Sequence, residues 1–187
     1  MPALDRSGSQ VAEPPTLWVH DEVLARLAGL PARPWEVGGW LLGFWTGAER
    51  DVFVTHATPP VGRGTPFGVR VAGRGHRDRF DDAWDASGGH ITFVGDWHTH
   101  PGCPATPSQR DATALRQLAD GPDYGTSQPI AAITQTPRWP FSAFPRETRW
   151  YVFDGENVID EVEPRIVSTL PEQAHAVPHW QWPRPAP

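Results

Sequence analysis

The chain has 187 residues, of which 39% are hydrophobic, and its formal net charge is -6. This length and hydrophobic content fit one ordinary globular domain with its own core. The acidic balance argues against a nucleic-acid-binding protein, because such proteins usually carry a basic patch or stripe. A single cysteine excludes an internal disulfide framework.

The N-terminus and the longest apolar runs bear on where the protein is found. Residues 1–15 lack the apolar stretch of a signal peptide and predict a disordered tail. No segment approaches the ~20 consecutive apolar residues that a transmembrane helix needs. We therefore expect a cytoplasmic protein that binds neither membranes nor nucleic acid.

The spacing of apolar residues predicts the elements of the first half of the domain. Residues 20–30 carry apolar side chains at helical spacing and predict a helix, which prolines at positions 31 and 34 end. Residues 36–45 and 51–57 indicate a pair of strands. Residues 58–75 are rich in Gly, Pro and Arg, which predicts a connection with a short strand near Val69.

An amphipathic helix and a buried strand follow. The pattern of residues 74–86 predicts a helix with its aspartates outward and three apolar side chains inward, namely Phe80, Ala83 and Trp84. Residues 91–97 are sufficiently β-branched and aromatic to predict a buried strand. Prolines at positions 101, 104 and 107 rule out helix until Ser108, where a second helical pattern begins.

Strands dominate the end of the domain. Residues 129–134, 149–153 and 157–162 predict strands, with a strong hairpin turn at Asp154-Gly155. Helices and strands that alternate in this way indicate an α/β fold with a central mixed β-sheet flanked by helices.

The composition changes after residue 163. Residues 164–187 are rich in Pro and Trp, which favours polyproline II or disorder. This segment is either an inert extension or a docking tail. The predicted organisation is a disordered tail (1–15), one domain (16–163) and a Pro/Trp-rich C-terminal tail (164–187).

The run HTHPGCPATPSQRD contains the residues of a candidate catalytic zinc site. His98 and His100 alternate with Thr99, so in an extended segment both imidazoles point to one face. Asp111 falls in the first turn of the following helix, where the helix dipole favours a carboxylate. Two histidines and one carboxylate with an open fourth position are typical of catalytic zinc, because structural sites usually have four protein ligands. Zinc would lower the pKa of a bound water and make hydroxide available.

Several neighbouring residues have alternative interpretations. Ser108 and Asp111 also resemble a helix capping box, a role that is compatible with catalysis. Asp96 shares the strand face with His98, where it would orient a histidine, contact substrate or remain a solvated strand-end carboxylate. Cys103 is a free loop thiol rather than a fourth ligand in our preferred interpretation. The remaining histidines are assigned to the surface or to loops: His20, His56, His76, His90, His175 and His179.

The H-x-H-P and S-x-x-D elements at this spacing resemble the signature of the JAMM (MPN+/JAB domain) zinc metalloprotease family. The family pattern E-x-G-G-x-L-x-G is also present, beginning at Glu36, and the resemblance extends over residues 21–154. It implies a JAMM/MPN fold related to cytidine deaminases. It further implies the metal ligands His98, His100 and Asp111, with Glu36 as general base and Ser108 as the group that stabilises the oxyanion.

The resemblance also implies a reaction and a substrate class. JAMM enzymes typically cleave an isopeptide or peptide bond after the C-terminal glycine of ubiquitin or a ubiquitin-like protein. The short chain is similar to bacterial members associated with ubiquitin-like conjugation systems, so activating and conjugating enzymes are further expected partners. Two alternatives are cleavage of sulfur-carrier protein adducts in sulfur metabolism and a non-catalytic MPN interaction module. The five intact functional positions weigh against the interaction module.

Overall fold

One mixed β-sheet organises the part of the chain that the structure describes. A computed structural model describes residues 15–46, 51–61, 64–65, 74–121, 125–137, 146–154 and 159–182. The elements in chain order are β1 (Thr16–His20), α1 (Asp21–Ala28), β2 (Gly38–Thr46), β3 (Asp51–Ala57), α2 (Arg74–Ala86), β4 (Thr92–Pro101), α3 (Gln109–Asp120), β5 (Ile130–Thr136), β6 (Glu147–Phe153), β7 (Ile159–Val162), β8 (Arg165–Val167) and α4 (Glu172–His175).

The sheet has eight strands in the order β7-β6-β5-β4-β2-β3-β1-β8. Strand β4 lies inside it, antiparallel to β2 and parallel to β5. Strand β1 is parallel to both of its neighbours, β3 and β8. The predicted α/β fold with a central mixed sheet is therefore confirmed.

Helices cover both faces of this sheet because successive side chains of a strand point to opposite sides. On one face, Leu27 of α1 packs in a cluster with Trp97 of β4. On the other face, Ala83 of α2 packs with Phe93, and Leu115 of α3 packs against β5. No helix in the described ranges is long and apolar enough to cross a membrane.

A glycine of the family pattern is required by the packing of Trp97. This buried indole lies across Gly39 of the neighbouring strand, and its Nε1 donates a 3.0 Å hydrogen bond to the Thr58 carbonyl. A Cβ atom at Gly39 would lie 2.5 Å from both the Thr58 oxygen and the indole nitrogen. Any larger residue would therefore displace the strand that precedes the histidines.

Most predicted elements are present, with shifted ends. Helix α2 and strand β3 have the predicted bounds, and α3 begins directly after Ser108. Strand β4 continues to Pro101 rather than ending at Trp97, so both histidines of the motif lie within the strand. Strand β1 was not predicted, and the strand expected near Val69 lies outside the described residues.

Three assignments of single residues were wrong. Trp84 was expected to point inward, but it is 44% exposed, because α2 packs on the sheet through Ala83 and Trp84 rests against its own neighbour Phe80. His76 and His20 are buried rather than on the surface. His76 is held there by a 3.0 Å hydrogen bond between its Nδ1 and the Thr58 hydroxyl.

The C-terminal segment also differs from the expected disordered or polyproline extension, because its described part folds onto the domain. Strand β8 pairs with β1 at the edge of the sheet, and α4 follows it. Ala174 of α4 packs in the cluster under α2, whereas Trp182 packs on the opposite face. The Trp182 ring stacks on Trp97 at 5.4 Å, with the Arg26 guanidinium 5.9 Å from its centre.

We predict that Trp182→Ala lowers the free energy of unfolding by about 2 kcal/mol, because a partly buried indole and its stacking contact are lost. Gln181→Ala is the matched control, since that neighbouring side chain is exposed. Urea unfolding of both variants measures the difference. Equal unfolding midpoints for the two variants and the wild type would contradict the docking of this segment.

Burial also makes His76 a source of acid sensitivity. It lowers the pKa of His76 from 6.5 to about 4, with a smaller contribution from the Arg79 charge. The folded protein therefore keeps this ring neutral while the unfolded chain takes up a proton, so stability falls as the pH drops from 6.5 toward 4.

We predict that His76→Asn, which cannot take up this proton, loses about 2 kcal/mol less stability than the wild type between pH 7 and pH 4.5. Urea unfolding at both pH values measures this, with His90→Asn as the control at an exposed position. If His76→Asn loses as much stability as the wild type, the buried ring is not the source of the acid sensitivity.

Candidate metal centre

Strand β4 carries both histidines of the motif on one face. His98 and His100 are separated by Thr99, whose side chain points the other way, so the two imidazoles are neighbours. Their Nε2 atoms lie 3.2 Å apart, and both residues are buried. Pairing with β2 and β5 on either side fixes the position of this strand.

Asp111 reaches the histidines from the first turn of α3. Its Oδ1 lies 3.3 Å from Nε2 of His98, and its Oδ2 lies 3.5 Å from Nε2 of His100. The Ser108 backbone N–H donates a 2.7 Å hydrogen bond to Oδ2, and the Asp111 N–H donates to Ser108 Oγ at 3.3 Å. The predicted capping box is therefore present. It holds the carboxylate toward the histidines, so the helix cap and the candidate metal centre share Asp111.

A short turn brings α3 back to the end of β4. Gly102 adopts a φ of 70°, which favours glycine, and its N–H donates a 2.9 Å hydrogen bond to the Thr136 carbonyl of β5. The Pro104 carbonyl lies 2.9 Å from Nδ1 of His100. The carbonyl that follows accepts a 2.7 Å hydrogen bond from the Tyr151 hydroxyl. These contacts anchor the proline-rich turn along its length.

The partners of the Nδ1 atoms determine where the imidazole lone pairs point. A carbonyl oxygen only accepts, so Nδ1 of His100 carries the proton that it donates to Pro104. Nδ1 of His98 lies 3.6 Å from a carboxylate oxygen of Asp96, which also only accepts when ionised. When both rings are neutral, as metal binding requires, both Nε2 atoms are lone-pair acceptors, and they face each other and the Asp111 carboxylate.

This donor set fits a divalent metal ion. The ligand atoms of His98, His100 and Asp111 all lie within 4.8 Å of one another. Three protein ligands from imidazole and carboxylate, with a further position open, are typical of catalytic metal sites. Cys103 is exposed and, within the described residues, is not part of this group, as expected for a free thiol.

The electrostatics of the site favour a positive charge. Burial lowers the pKa of His98, but the Asp111 and Asp96 carboxylates outweigh burial and raise that pKa to about 10. Burial raises the pKa of Asp111, but its contacts with His100 and His98 hold it well below its usual range. The centre therefore attracts a cation, which is either a proton or a metal ion.

Glu36 lies beside this centre, just before β2. The Val37 carbonyl accepts a 2.9 Å hydrogen bond from the Thr99 N–H, so the residue before Val37 is placed next to His100 across the strand pair. Glu36 is half-buried. Burial raises the pKa of its carboxyl, and the charges of His98 and His100 partly offset this. A carboxylate with a raised pKa is suited to accept a proton at neutral pH.

Asp96 lies behind His98 rather than at a solvated strand end. It is only 5% exposed and shares the strand face of the two histidines. The alternative of a solvated carboxylate does not fit this burial. Its Oδ1 lies 3.6 Å from Nδ1 of His98, which agrees with the predicted role of orienting a histidine.

The structure thus brings together His98, His100 and Asp111. Ser108 is hydrogen-bonded to Asp111, and Glu36 lies beside the group. Two contributions escaped the sequence analysis. The Pro104 carbonyl is a backbone group, so its contact with His100 has no sequence signal. The hydroxyl of Thr99 accepts a 3.0 Å hydrogen bond from the Val37 N–H. This contact could have been predicted, because a threonine between two histidines on a strand points to the opposite face.

Comparison with known proteins finds relatives by sequence and a similar solved structure. A probable metalloprotease of Sinorhizobium fredii is 28% identical over 130 residues, which is 64% of this chain and 76% of that protein. A CD-NTase/cGAS isopeptidase of Enterobacter hormaechei is 30% identical over 103 residues, which is 52% of this chain and 54% of that protein. The solution structure of a protein from Desulfitobacterium hafniense aligns with 86% of this chain and 99% of its own, at 20% identity and a TM-score of 0.48.

These relatives support a peptidase or isopeptidase function, and together with the His-His-Asp group they suggest a bound metal. A family model described as prokaryotic homologs of the JAB domain matches residues 21–152, which include all five motif residues. The predicted resemblance is confirmed, and the chain belongs to the prokaryotic JAB-domain family.

Proposed function

We propose that the chain is a zinc-dependent isopeptidase or peptidase of the JAMM type that cleaves after the C-terminal glycine of a ubiquitin-like protein. The observation that carries the chemistry is the convergence of two Nε2 atoms and one carboxylate, with Glu36 beside them. The isopeptide bond as substrate is supported by the relative named as an isopeptidase. The ubiquitin-like modifier rests on the resemblance of the motif to the JAMM signature.

His98, His100 and Asp111 would hold the metal ion. Imidazole and carboxylate ligands suit zinc well, and this donor set leaves a further position open. Zinc held there supplies Lewis acidity and lowers the pKa of a water toward ~7. With His98 and His100 as neutral ligands and Asp111 as the one anionic ligand, a divalent ion would keep net positive charge, which would favour a developing oxyanion.

Glu36 acts as the proton shuttle in this proposal. Its carboxylate takes a proton from the attacking water and delivers the proton to the amine that leaves. For an isopeptide bond, that amine is the side chain of a lysine. The raised pKa of the half-buried carboxyl helps both steps, because a more basic carboxylate holds the proton until the amine departs.

Ser108 stabilises the oxyanion in this proposal. Its Oγ accepts from the Asp111 N–H, so the hydroxyl hydrogen is available for donation. Ser108 is exposed at the start of α3, where a substrate carbonyl has access to it. A fixed donor aimed at the developing negative charge lowers the barrier without reorganisation at the moment of reaction.

Cleavage of fusion proteins tests the proposed function. A panel of ubiquitin-like and sulfur-carrier proteins, each fused to a reporter after its last glycine, is incubated with the zinc-loaded wild type and with Glu36→Gln. We expect cleavage after the glycine by the wild type and a loss of at least about 100-fold in Glu36→Gln, because a general base contributes 10²–10⁴-fold.

Zinc content is measured on both proteins as the control, since Glu36 is not a proposed ligand. Equal cleavage by both proteins would exclude Glu36 as the base. A zinc-loaded wild type that cleaves no fusion would contradict the proposed substrate class, and cleavage of sulfur-carrier fusions alone would favour sulfur metabolism.

A second prediction separates the two roles of Ser108. Ser108→Ala should lower kcat by about 10²–10³-fold, as expected for loss of an oxyanion donor. It should lower the free energy of unfolding by only about 1 kcal/mol, because the side-chain cap is lost while the backbone N–H still holds Asp111. Thr113→Ala, one turn further along α3, is the control. A kcat within threefold of the wild type would mean that Ser108 is only a cap.

A further inference from the structure

Asp96 is a carboxylate buried in the middle of the sheet, in a place where a lone negative charge is costly. Asp96 of β4 lies opposite Trp40 of β2 and opposite Ala131 of β5 in the sheet, and both of these residues are buried. Asp96 itself is 5% exposed. An unpaired carboxylate in such surroundings is strongly destabilising, so buried charges are retained when an opposite charge or a metal compensates them.

Asp96 contacts His98. Oδ1 of Asp96 lies 3.6 Å from Nδ1 of His98, an ion-pair distance slightly longer than a direct hydrogen bond. The same oxygen has no hydrogen-bond partner in the described part of the chain. Oδ1 of Asp96 therefore lacks a hydrogen bond to the described residues and faces Nδ1 of His98. On the opposite side of the same ring, Nε2 of His98 faces Asp111 and His100.

The two histidines are held by different kinds of group. The neutral carbonyl of Pro104 lies against Nδ1 of His100, whereas the ionisable carboxylate of Asp96 lies against Nδ1 of His98. A carboxylate behind a ligand histidine fixes its tautomer and makes the ring a stronger donor to a metal. Asp96 also adds a second negative charge to that of Asp111 on the two sides of the His98 ring, which favours a cation at the centre.

We propose that Asp96 is a positioning residue for the metal centre: it keeps the Nε2 lone pair of His98 directed at the ion, and its negative charge raises the affinity for a divalent cation. The proposal rests on the metal centre of the proposed function. It assigns to Asp96 no contact with substrate.

Zinc affinity tests this assignment on the full chain. Asp96→Ala removes both charge and acceptor, whereas Asp96→Asn keeps the volume and an acceptor oxygen but loses the charge. Competition with a chromophoric chelator at one fixed pH should show zinc bound about 10–100-fold more weakly by Asp96→Ala, the usual cost of losing such a partner. Asp96→Asn should be weakened by about tenfold. Asp120→Asn, which removes an exposed carboxylate at the end of α3, should bind zinc like the wild type.

The visible spectrum of the cobalt(II)-loaded proteins provides a second readout. A role confined to folding would lower the urea midpoint of Asp96→Ala without changing zinc affinity or the cobalt spectrum of the folded protein. The proposed role predicts that Asp96→Asn changes both the zinc affinity and the cobalt spectrum. If Asp96→Ala does not fold, Asp96→Asn alone provides the test. Zinc affinities of both variants within twofold of the wild type would overturn the proposal.

Failure of this inference is distinguishable from failure of the proposed function. A wild type that binds zinc and cleaves the fusion panel, beside an Asp96→Asn that binds zinc equally well, would overturn only the role of Asp96. A wild type that binds zinc but cleaves no fusion, beside a weakened Asp96→Asn, would support the role of Asp96 and contradict the substrate class. A wild type that binds no zinc would overturn both.

Discussion

Two buried imidazole Nε2 atoms and one carboxylate converge, and this convergence is the constraint on which the rest of the site depends. The Nε2 atoms of His98 and His100 are 3.2 Å apart, and Asp111 faces both. Three acceptors repel one another when no cation lies between them. The partners of both Nδ1 atoms, the carbonyl of Pro104 and the carboxylate of Asp96, maintain this arrangement.

The scaffold keeps this costly arrangement in place by using both faces of one strand. On the face opposite the histidines, Trp97 is fully buried, bonded to Thr58 and stacked on Trp182. Gly39 provides the space that the indole occupies. The third acceptor comes from a helix whose first turn is closed by its own capping box. Groups mounted on rigid elements keep their geometry better than groups on loops, as a metal centre requires.

Sequence patterns recovered the parts of this structure that depend on local periodicity. Alternation predicted that His98 and His100 share a face, and the cap residue Ser108 predicted where α3 begins. Features set by tertiary contacts were missed. The segment after residue 163 has the composition of a disordered tail, yet Trp182 is ordered by stacking on a core tryptophan. Similarly, Trp84 follows the helical apolar pattern but is exposed, because α2 packs on the sheet through Ala83.

X-ray absorption at the zinc edge, measured on the protein loaded with one equivalent of zinc, tests the convergence most directly. The predicted spectrum shows only nitrogen and oxygen neighbours at about 2.0–2.2 Å, with the outer scattering of two imidazole rings. In His100→Ala, the scattering of one ring should disappear. A sulfur neighbour at about 2.3 Å would place Cys103 on the metal, and a spectrum without imidazole scattering would place the ion elsewhere; either result would contradict the proposed centre.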